Sequence, residues 1–171
     1  MKHYEVPYQK ILRKRGRIYI KTKNPKETAL KLTWIFGVSS VSPAIQTTST
    51  MDKILQTAVR LADTTIEGES SFAVRCRRIG KHPYSSMDVC KEVGKQILKN
   101  LGNRNLRVDL KNPQFTINIE VRDADAYIFS ETLQGAGGFP LGSQSKVVCL
   151  LSGGIDSAVA CWLVMKRGCP I

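Results

Sequence analysis

The chain is short of metal-binding equipment. It has 2 histidines, and its 5 cysteines (Cys76, Cys90, Cys149, Cys161 and Cys169) include no pair two residues apart. Zinc and iron–sulfur sites usually show a close pair such as CxxC, so a complete metal site is not expected. The odd cysteine count argues against a disulfide framework, and reduced, mostly buried thiols are the expected state. Long apolar runs are missing too. Val147–Leu151 is far too short to span a bilayer. The opening run Met1-Lys2-His3-Tyr4-Glu5-Val6-Pro7 lacks the apolar core of a secretory signal. These absences exclude a membrane role and point to the cytoplasm.

Negative charge is also scarce. Asp and Glu number 14 against 26 Lys and Arg, a formal net charge of +12 over 171 residues. An excess that size favours a polyanionic partner, because neutralising phosphates releases condensed counterions. Its placement is uneven: Met1–Lys23 holds eight basic residues and one acidic residue, and Arg75, Arg77, Arg78 and Lys81 form a second cluster. What is abundant is ordinary. Hydrophobic residues make up 42% and charged residues 23%, a globular balance with room for two or three small domains.

Periodicity divides the chain. Tyr8–Arg13 and Arg17–Thr22 read as a hairpin about the turn Lys14-Arg15-Gly16. Asn24, Pro25 and Glu27 predict a helix start with a capping box, and Gly37 a stop after Phe36. Val38–Ala44 then reads as a strand. The order ββαβ is the later part of a ferredoxin-like unit, here residues 1–47, whose first strand and helix have no room ahead of Tyr8.

Residues 48–134 read as a second domain, α+β in class. A helix over Met51–Asp63 places Ile54, Ala58, Leu61 and Ala62 on one face. Phe72–Ile79 is a strand with Phe72, Val74 and Cys76 on one side and Arg75 and Arg77 on the other. Ser85 and Asp88 cap a helix with the stripe Val89, Val93, Ile97 and Leu101, closed by Gly102. Leu106–Lys111 and Phe115–Arg122 alternate as strands around Asn112-Pro113, and Tyr127–Glu131 completes the set. Residues 135–145 are too glycine-rich for helix or strand and read as a linker. Residues 146–171 open a third unit. Lys146–Leu151 is continuously apolar after its first residue, the pattern of a strand buried in a parallel sheet.

Ser152-Gly153-Gly154-Ile155-Asp156-Ser157 stands between that strand and a helical segment, Ala158–Lys166. Strand, glycine turn and helix N-terminus together form an anion cradle, in which backbone N–H groups and the helix dipole meet a phosphate. Ser152 and Ser157 add hydroxyl donors. Asp156 would repel phosphates unless a cation such as Mg²⁺ lay between them. Neither the Walker A lysine nor a GxGxxG fingerprint is present.

The run resembles the SGGxDS loop of the PP-loop ATP pyrophosphatases. The resemblance implies that Leu150, Leu151 and Ser152 to Ser157 hold ATP, with Asp156 as the catalytically important acid. Phe72-Ala73-Val74-Arg75-Cys76-Arg77-Arg78, Pro83-Tyr84-Ser85-Ser86-Met87-Asp88, Val108-Asp109-Leu110-Lys111-Asn112-Pro113 and Ile119-Glu120-Val121-Arg122-Asp123 resemble a THUMP RNA-binding domain. Gly137-Gly138-Phe139-Pro140-Leu141-Gly142 is similar to the connector between the two in the tRNA 4-thiouridine synthetases. That family adenylates uridine 8 of tRNA with ATP, and persulfide sulfur from a cysteine desulfurase then displaces AMP to leave 4-thiouridine. Thiamine thiazole synthesis is linked to the same family, and a homodimer is compatible with the resemblance. Ala158 stands where many members have proline. Since 14 residues follow Ser157, the adenine pocket and acceptor cysteines are expected outside the chain, which alone should bind tRNA weakly and not thiolate it.

Smaller features weigh differently. Arg75, Arg77, Arg78 and Lys81 are expected on tRNA phosphates, with Tyr84 stacking on an unpaired base; His82 reads as an ordinary surface residue. Lys10, Arg13, Lys14, Arg15 and Arg17 are a second candidate contact or a solvated face. Cys149, Cys161 and Cys169 read as packing residues, and Val159, Leu163 and Val164 as a helix core stripe. Two alternatives stand beside the enzyme reading: a THUMP adaptor that only presents tRNA, which the intact loop disfavours, and another PP-loop enzyme, which the THUMP-like region disfavours.

Overall fold

The computed structural model describes residues 6, 8–14 and 16–171. Arg15, of the predicted turn and basic cluster, lies outside them, as do Met1–Glu5 and Pro7. The chain divides into two compact units. One holds residues up to Pro43 together with Thr132–Ile171, the other Ala44–Glu131.

The first unit begins with an antiparallel hairpin, β1 (Lys10–Lys14) and β2 (Arg17–Lys21), whose turn uses Gly16 at φ 76. Helix α1 (Pro25–Leu32) starts at Asn24 with Pro25 in its first turn. The expected capping box does not form: Asn24 Nδ2 donates to Glu27 Oε2 at 3.4 Å, and Glu27 turns to Lys31 at 3.0 Å. The helix ends four residues before Phe36. Thr33 Oγ1 donates to the Leu30 carbonyl at 2.7 Å, and tight turns follow to Gly37 at φ 90. Of the predicted strand Val38–Ala44, only β3 (Ser40–Val41) forms. It pairs with β9 (Leu133–Gln134), not with the hairpin, so the expected ββαβ order is not one sheet here. Pro43, which has no N–H to donate, marks where the chain leaves this pairing.

The second unit is a five-stranded sheet in the order β4-β8-β7-β5-β6. Its elements are β4 (Ile45–Thr48), α2 (Met51–Thr65), β5 (Ser71–Ile79), α3 (Ser86–Asn100), β6 (Arg107–Val108), β7 (Phe115–Arg122) and β8 (Asp125–Phe129). β5 lies parallel to both β6 and β7, while β7–β8 and β8–β4 are antiparallel. β6 is shorter than the predicted Leu106–Lys111 because the Asp109 carboxylate accepts from the N–H groups of Lys111 and Asn112, an Asx turn that ends pairing. Both α2 and α3 cover one face. Ile54, Ala58 and Ala62 from α2 and Val89, Val93 and Ile97 from α3 meet Phe72, Ile117, Ile119, Val121 and Ile128 in a single buried cluster. Each buried Val, Ile or Phe among them contributes about 1.5–3 kcal/mol on burial. The Ser85–Asp88 capping box is formed on both sides. Gly102 instead opens a short 3₁₀ turn, and the left-handed residue is Asn105 at φ 51.

The chain returns to the first unit at Thr132, just before β9, and its last helix is α4 (Ile155–Lys166). Lys146–Leu151 is not a strand. Among the described residues no strand lies beside it; Val147 N–H reaches the Pro170 carbonyl at 2.9 Å, and Val148 and Leu150 are each 89% exposed. Continuous apolar character predicts burial between neighbours, and without a paired neighbour the segment forms no sheet.

Candidate nucleotide loop and basic strand

Ser152–Ser157 turns the extended segment into α4, with Gly154 as N-cap in extended geometry. The loop is knitted by one hydroxyl. Ser157 Oγ accepts from Ser152 N at 3.1 Å and from Ser152 Oγ at 3.2 Å. It donates to the Gly154 carbonyl at 2.9 Å, with the Ser152 carbonyl at 3.3 Å. Gly154 N–H in turn donates to Ser152 Oγ at 3.3 Å. The single proton of Ser157 is therefore used inside the loop, where the sequence reading aimed it at phosphate. The spacing of the two serines, five residues across a glycine turn, is the signal that could have disclosed this.

The glycines need another explanation. Neither Gly153 nor Gly154 has positive φ. A Cβ at Gly153 would meet no protein atom within 4 Å, and one at Gly154 only Ser152 Oγ at 3.6 Å. Backbone conformation and packing both permit a side chain here; what a side chain would exclude is a ligand resting on the backbone N–H groups. The residues thus fit a pyrophosphate. Asp156 is exposed in the first turn of α4, where its charge suits the helix dipole but opposes a phosphate. Among the described residues no group of three His, Cys, Asp or Glu could hold a metal. Asp156 alone fits the way Mg²⁺ is usually held, by one or two carboxylates with substrate phosphates supplying the rest. Leu150 and Leu151 flank the loop, both exposed. Behind it, burial leaves Cys161 5% exposed, and the Cys161 thiol beside Cys149 pushes the Cys149 thiol pKa up.

On β5 the basic cluster separates. Arg75 and Arg77 are exposed on the sheet face away from the helices, in register with Asn118 and Glu120. By strand alternation Arg78 belongs to the other face; its Nη1 donates to the Gly80 carbonyl at 3.1 Å, and its Nε is buried without a partner. Lys81 is exposed in the loop that follows. Tyr84 is half-buried against the core, and its hydroxyl donates to the Ser49 carbonyl. Its ring stacks on His82 at 5.5 Å, and His82 Nε2 is bound to the Asp123 carbonyl at 2.7 Å. The structure therefore gives His82 and Tyr84 an intramolecular stack, which sequence alternation does not show. Beneath it, burial lifts the Cys76 thiol pKa to about 11, with Cys90 adding to the effect. Arg104 is structural: it donates to the carbonyls of Asp63 and Ile66 at 2.9 and 2.8 Å.

Two family models match the chain: the THUMP domain over residues 48–131 and the thiamine biosynthesis protein ThiI over residues 142–171. A probable tRNA sulfurtransferase from Methanobrevibacter smithii is 42% identical over 164 residues, spanning 93% of this chain and 42% of that protein. The crystal structure of PH1313 from Pyrococcus horikoshii superimposes with a TM-score of 0.88 at 38% identity, covering 98% of this chain and 55% of that one. A 4-thiouridine synthetase–RNA complex with bound ATP follows at a TM-score of 0.80 and 30% identity, covering 94% and 42%. The class is that of proteins carrying a THUMP domain. Within that class, the chain is similar to the tRNA sulfurtransferases over nearly its whole length, and it spans less than half the length of the curated relative described.

Proposed function

We propose that this chain supplies the tRNA-binding and nucleotide-loop portion of an ATP-dependent tRNA sulfurtransferase that makes 4-thiouridine. The observation that carries it is the presence, in one chain, of a THUMP domain and a Ser-Gly-Gly loop at a helix N-terminus with ligand space above its glycines. Residues 1–47 are assigned to a ferredoxin-like N-terminal unit, 48–134 to the THUMP domain, 135–145 to the connector and 146–171 to the opening of a PP-loop domain. The hairpin's alternation and the loop-to-helix turn from Ser152 into α4 support these finer assignments.

Arg75, Arg77 and Lys81 pair with tRNA phosphates, while Arg78 and the His82–Tyr84 stack hold the shape of the adjoining loop. The backbone of Ser152–Ser157 receives the pyrophosphate of ATP. Mg²⁺ at Asp156 would neutralise charge on the phosphates. The uracil O4 attacks the α-phosphorus, the α–β phosphoanhydride bond breaks, and pyrophosphate departs. An oxygen that is a poor leaving group thereby becomes part of AMP, a good one. The outer sulfur of a cysteine persulfide, loaded from a cysteine desulfurase, then attacks C4 and AMP leaves; a second thiol cleaves the S–S bond, so a disulfide forms and the sulfur stays on C4 as 4-thiouridine. The test is Asp156→Ala in the full-length protein: thiolation falls at least about 100-fold, the scale of removing one preorganised electrostatic contact, while tRNA affinity stays within about twofold, the scatter of a site with no shared contact. Equal loss of both would show that loop and basic strand are not separate sites.

A further inference from the structure

The glycine-rich segment 135–142 reads as a linker from composition, yet its backbone is hydrogen-bonded to two other stretches of its unit. On one side it is sewn to the turn after α1. Ala136 N–H donates to the Thr33 carbonyl at 2.7 Å, Gly137 N–H to Val38 at 2.8 Å, Gly135 N–H to Ser39 at 2.9 Å, and Gly37 N–H returns a bond to Gly137 at 2.8 Å. On the other side it is sewn to the C-terminal end of α4. Phe139 N–H donates to the Lys166 carbonyl at 2.9 Å, and Gly142 N–H to Gly168 at 2.9 Å. Phe36 and Trp162 close the joint edge to face, with centroids 5.6 Å apart.

The glycines exist for close approach. A Cβ on Gly135 would overlap the Val38 carbonyl oxygen, and one on Gly138 the Lys166 carbonyl oxygen. One on Gly168 would overlap Ser143 Oγ and lie 3.0 Å from Phe139 Cβ, and one on Gly37 would stand 2.8 Å from Pro140 Cγ. Gly138 and Gly168 also have φ of 76 and 92, a conformation that L side chains rarely adopt. Three separate stretches of chain thus meet at one point with no room for a side chain.

We propose that this joint is a positioning clasp for the nucleotide loop, with Gly138 and Gly168 as positioning residues. The loop sits at the N-terminal end of α4 and the clasp at its C-terminal end. A helix of 12 residues separates them by about 18 Å at 1.5 Å per residue. It transmits a shift at one end to the other. The inference rests on the proposed function for what the loop holds, but the clasp itself does not. Since both glycines lie outside the nucleotide loop and the basic strand, disturbing them should change where the reacting groups meet rather than how tightly they bind.

The experiment uses full-length protein with Gly138→Ala, Gly168→Ala and, as a strain control in the other unit, Gly68→Ala, whose φ is 62 and whose Cβ would meet open space. Gly138→Ala and Gly168→Ala should lower kcat for 4-thiouridine formation about 10-fold or more, the scale of a small misplacement of reacting groups. Dissociation constants for tRNA and inorganic pyrophosphate should stay within about twofold of wild type, the additivity scatter of distant sites. Amide hydrogen exchange over 135–144 should accelerate in the same two variants and not in the control. Unchanged kcat, or a kcat loss matched by equal loss of both affinities, overturns the proposal. If wild type makes no 4-thiouridine, the functional reading fails instead, and exchange alone decides the clasp: unaltered protection in Gly138→Ala overturns it. Should the glycine variants not fold, Phe36→Leu, which removes only the Trp162 edge contact, is measured in their place, and the same outcomes support or overturn the clasp.

Discussion

Ser157 and Asp156 stand side by side in the loop and serve it differently. The Ser157 hydroxyl is spent on Ser152 and Gly154, so its part in the proposed anion site is to fix the shape of the loop backbone. Ser157→Ala should weaken inorganic pyrophosphate binding roughly 10-fold, about the net worth of one or two hydrogen bonds; titration calorimetry on the full-length protein measures it, and an unchanged affinity would mean the backbone holds its shape without the hydroxyl. Among the arginines, exposure separates the proposed phosphate contacts from scaffolding. Arg75→Ala and Arg77→Ala should each flatten the dependence of log tRNA affinity on log salt by roughly one unit. Arg78→Ala should flatten it less and lower stability instead, because its guanidinium is tied to the Gly80 carbonyl. Filter binding from low to moderate salt distinguishes the three, and equal slopes would refute the division.

Among the elements, α3 is the one whose start is best specified. Hydrogen bonds from Ser85, backbone first and hydroxyl second, hold the Asp88 carboxyl pKa below its ordinary value. A folded value below the unfolded one means the stabilisation is complete above the unfolded pKa. It is lost as pH falls through the folded one, so the window is the acid side of the ordinary carboxylate range. Urea unfolding of wild type and Asp88→Asn should therefore converge on acidification and separate near neutrality. Ser85→Ala should cost about 1 kcal/mol. A gap that persists in acid would mean that the carboxylate charge is not what stabilises the helix.

Elements of this kind were legible in the sequence because a short-range rule writes them: the box at Ser85, the stripe of α2, the alternation of β5 and β7. Those that were not legible depend on partners distant in the chain. Two residues suffice for β3 and for β9 only because they find each other. The parallel placement of β6 beside β5 follows from pairing that no local pattern encodes. Lys146–Leu151 has the composition of a buried strand without a neighbour to make it one. Of the candidate site, residue types and spacing placed the glycine turn at the start of a helix and Asp156 in that helix's first turn. The fate of the Ser157 proton and the internal use of Tyr84 were hidden because each is fixed by which acceptor lies nearest in space.

At the scale of the molecule, charge and core divide the labour. The second unit owns the continuous core under α2 and α3, and its stability should respond to any buried β7 residue: Ile117→Ala, fully buried, should cost about 2–5 kcal/mol by chemical denaturation. The net charge of +12 suits a large polyanion. No helix among the described residues is long and apolar enough to cross a membrane. Basic strand and nucleotide loop serve one proposed activity, and one measurement reaches it directly. Full-length protein, unmodified tRNA, ATP, Mg²⁺ and a cysteine desulfurase with cysteine are combined, and 4-thiouridine is followed by its near-ultraviolet absorbance alongside AMP. Thiolated tRNA and AMP should form in equal amounts, both dependent on ATP and both absent with Asp156→Ala. Thiolation without ATP, or AMP release that does not depend on tRNA, would contradict the proposed function.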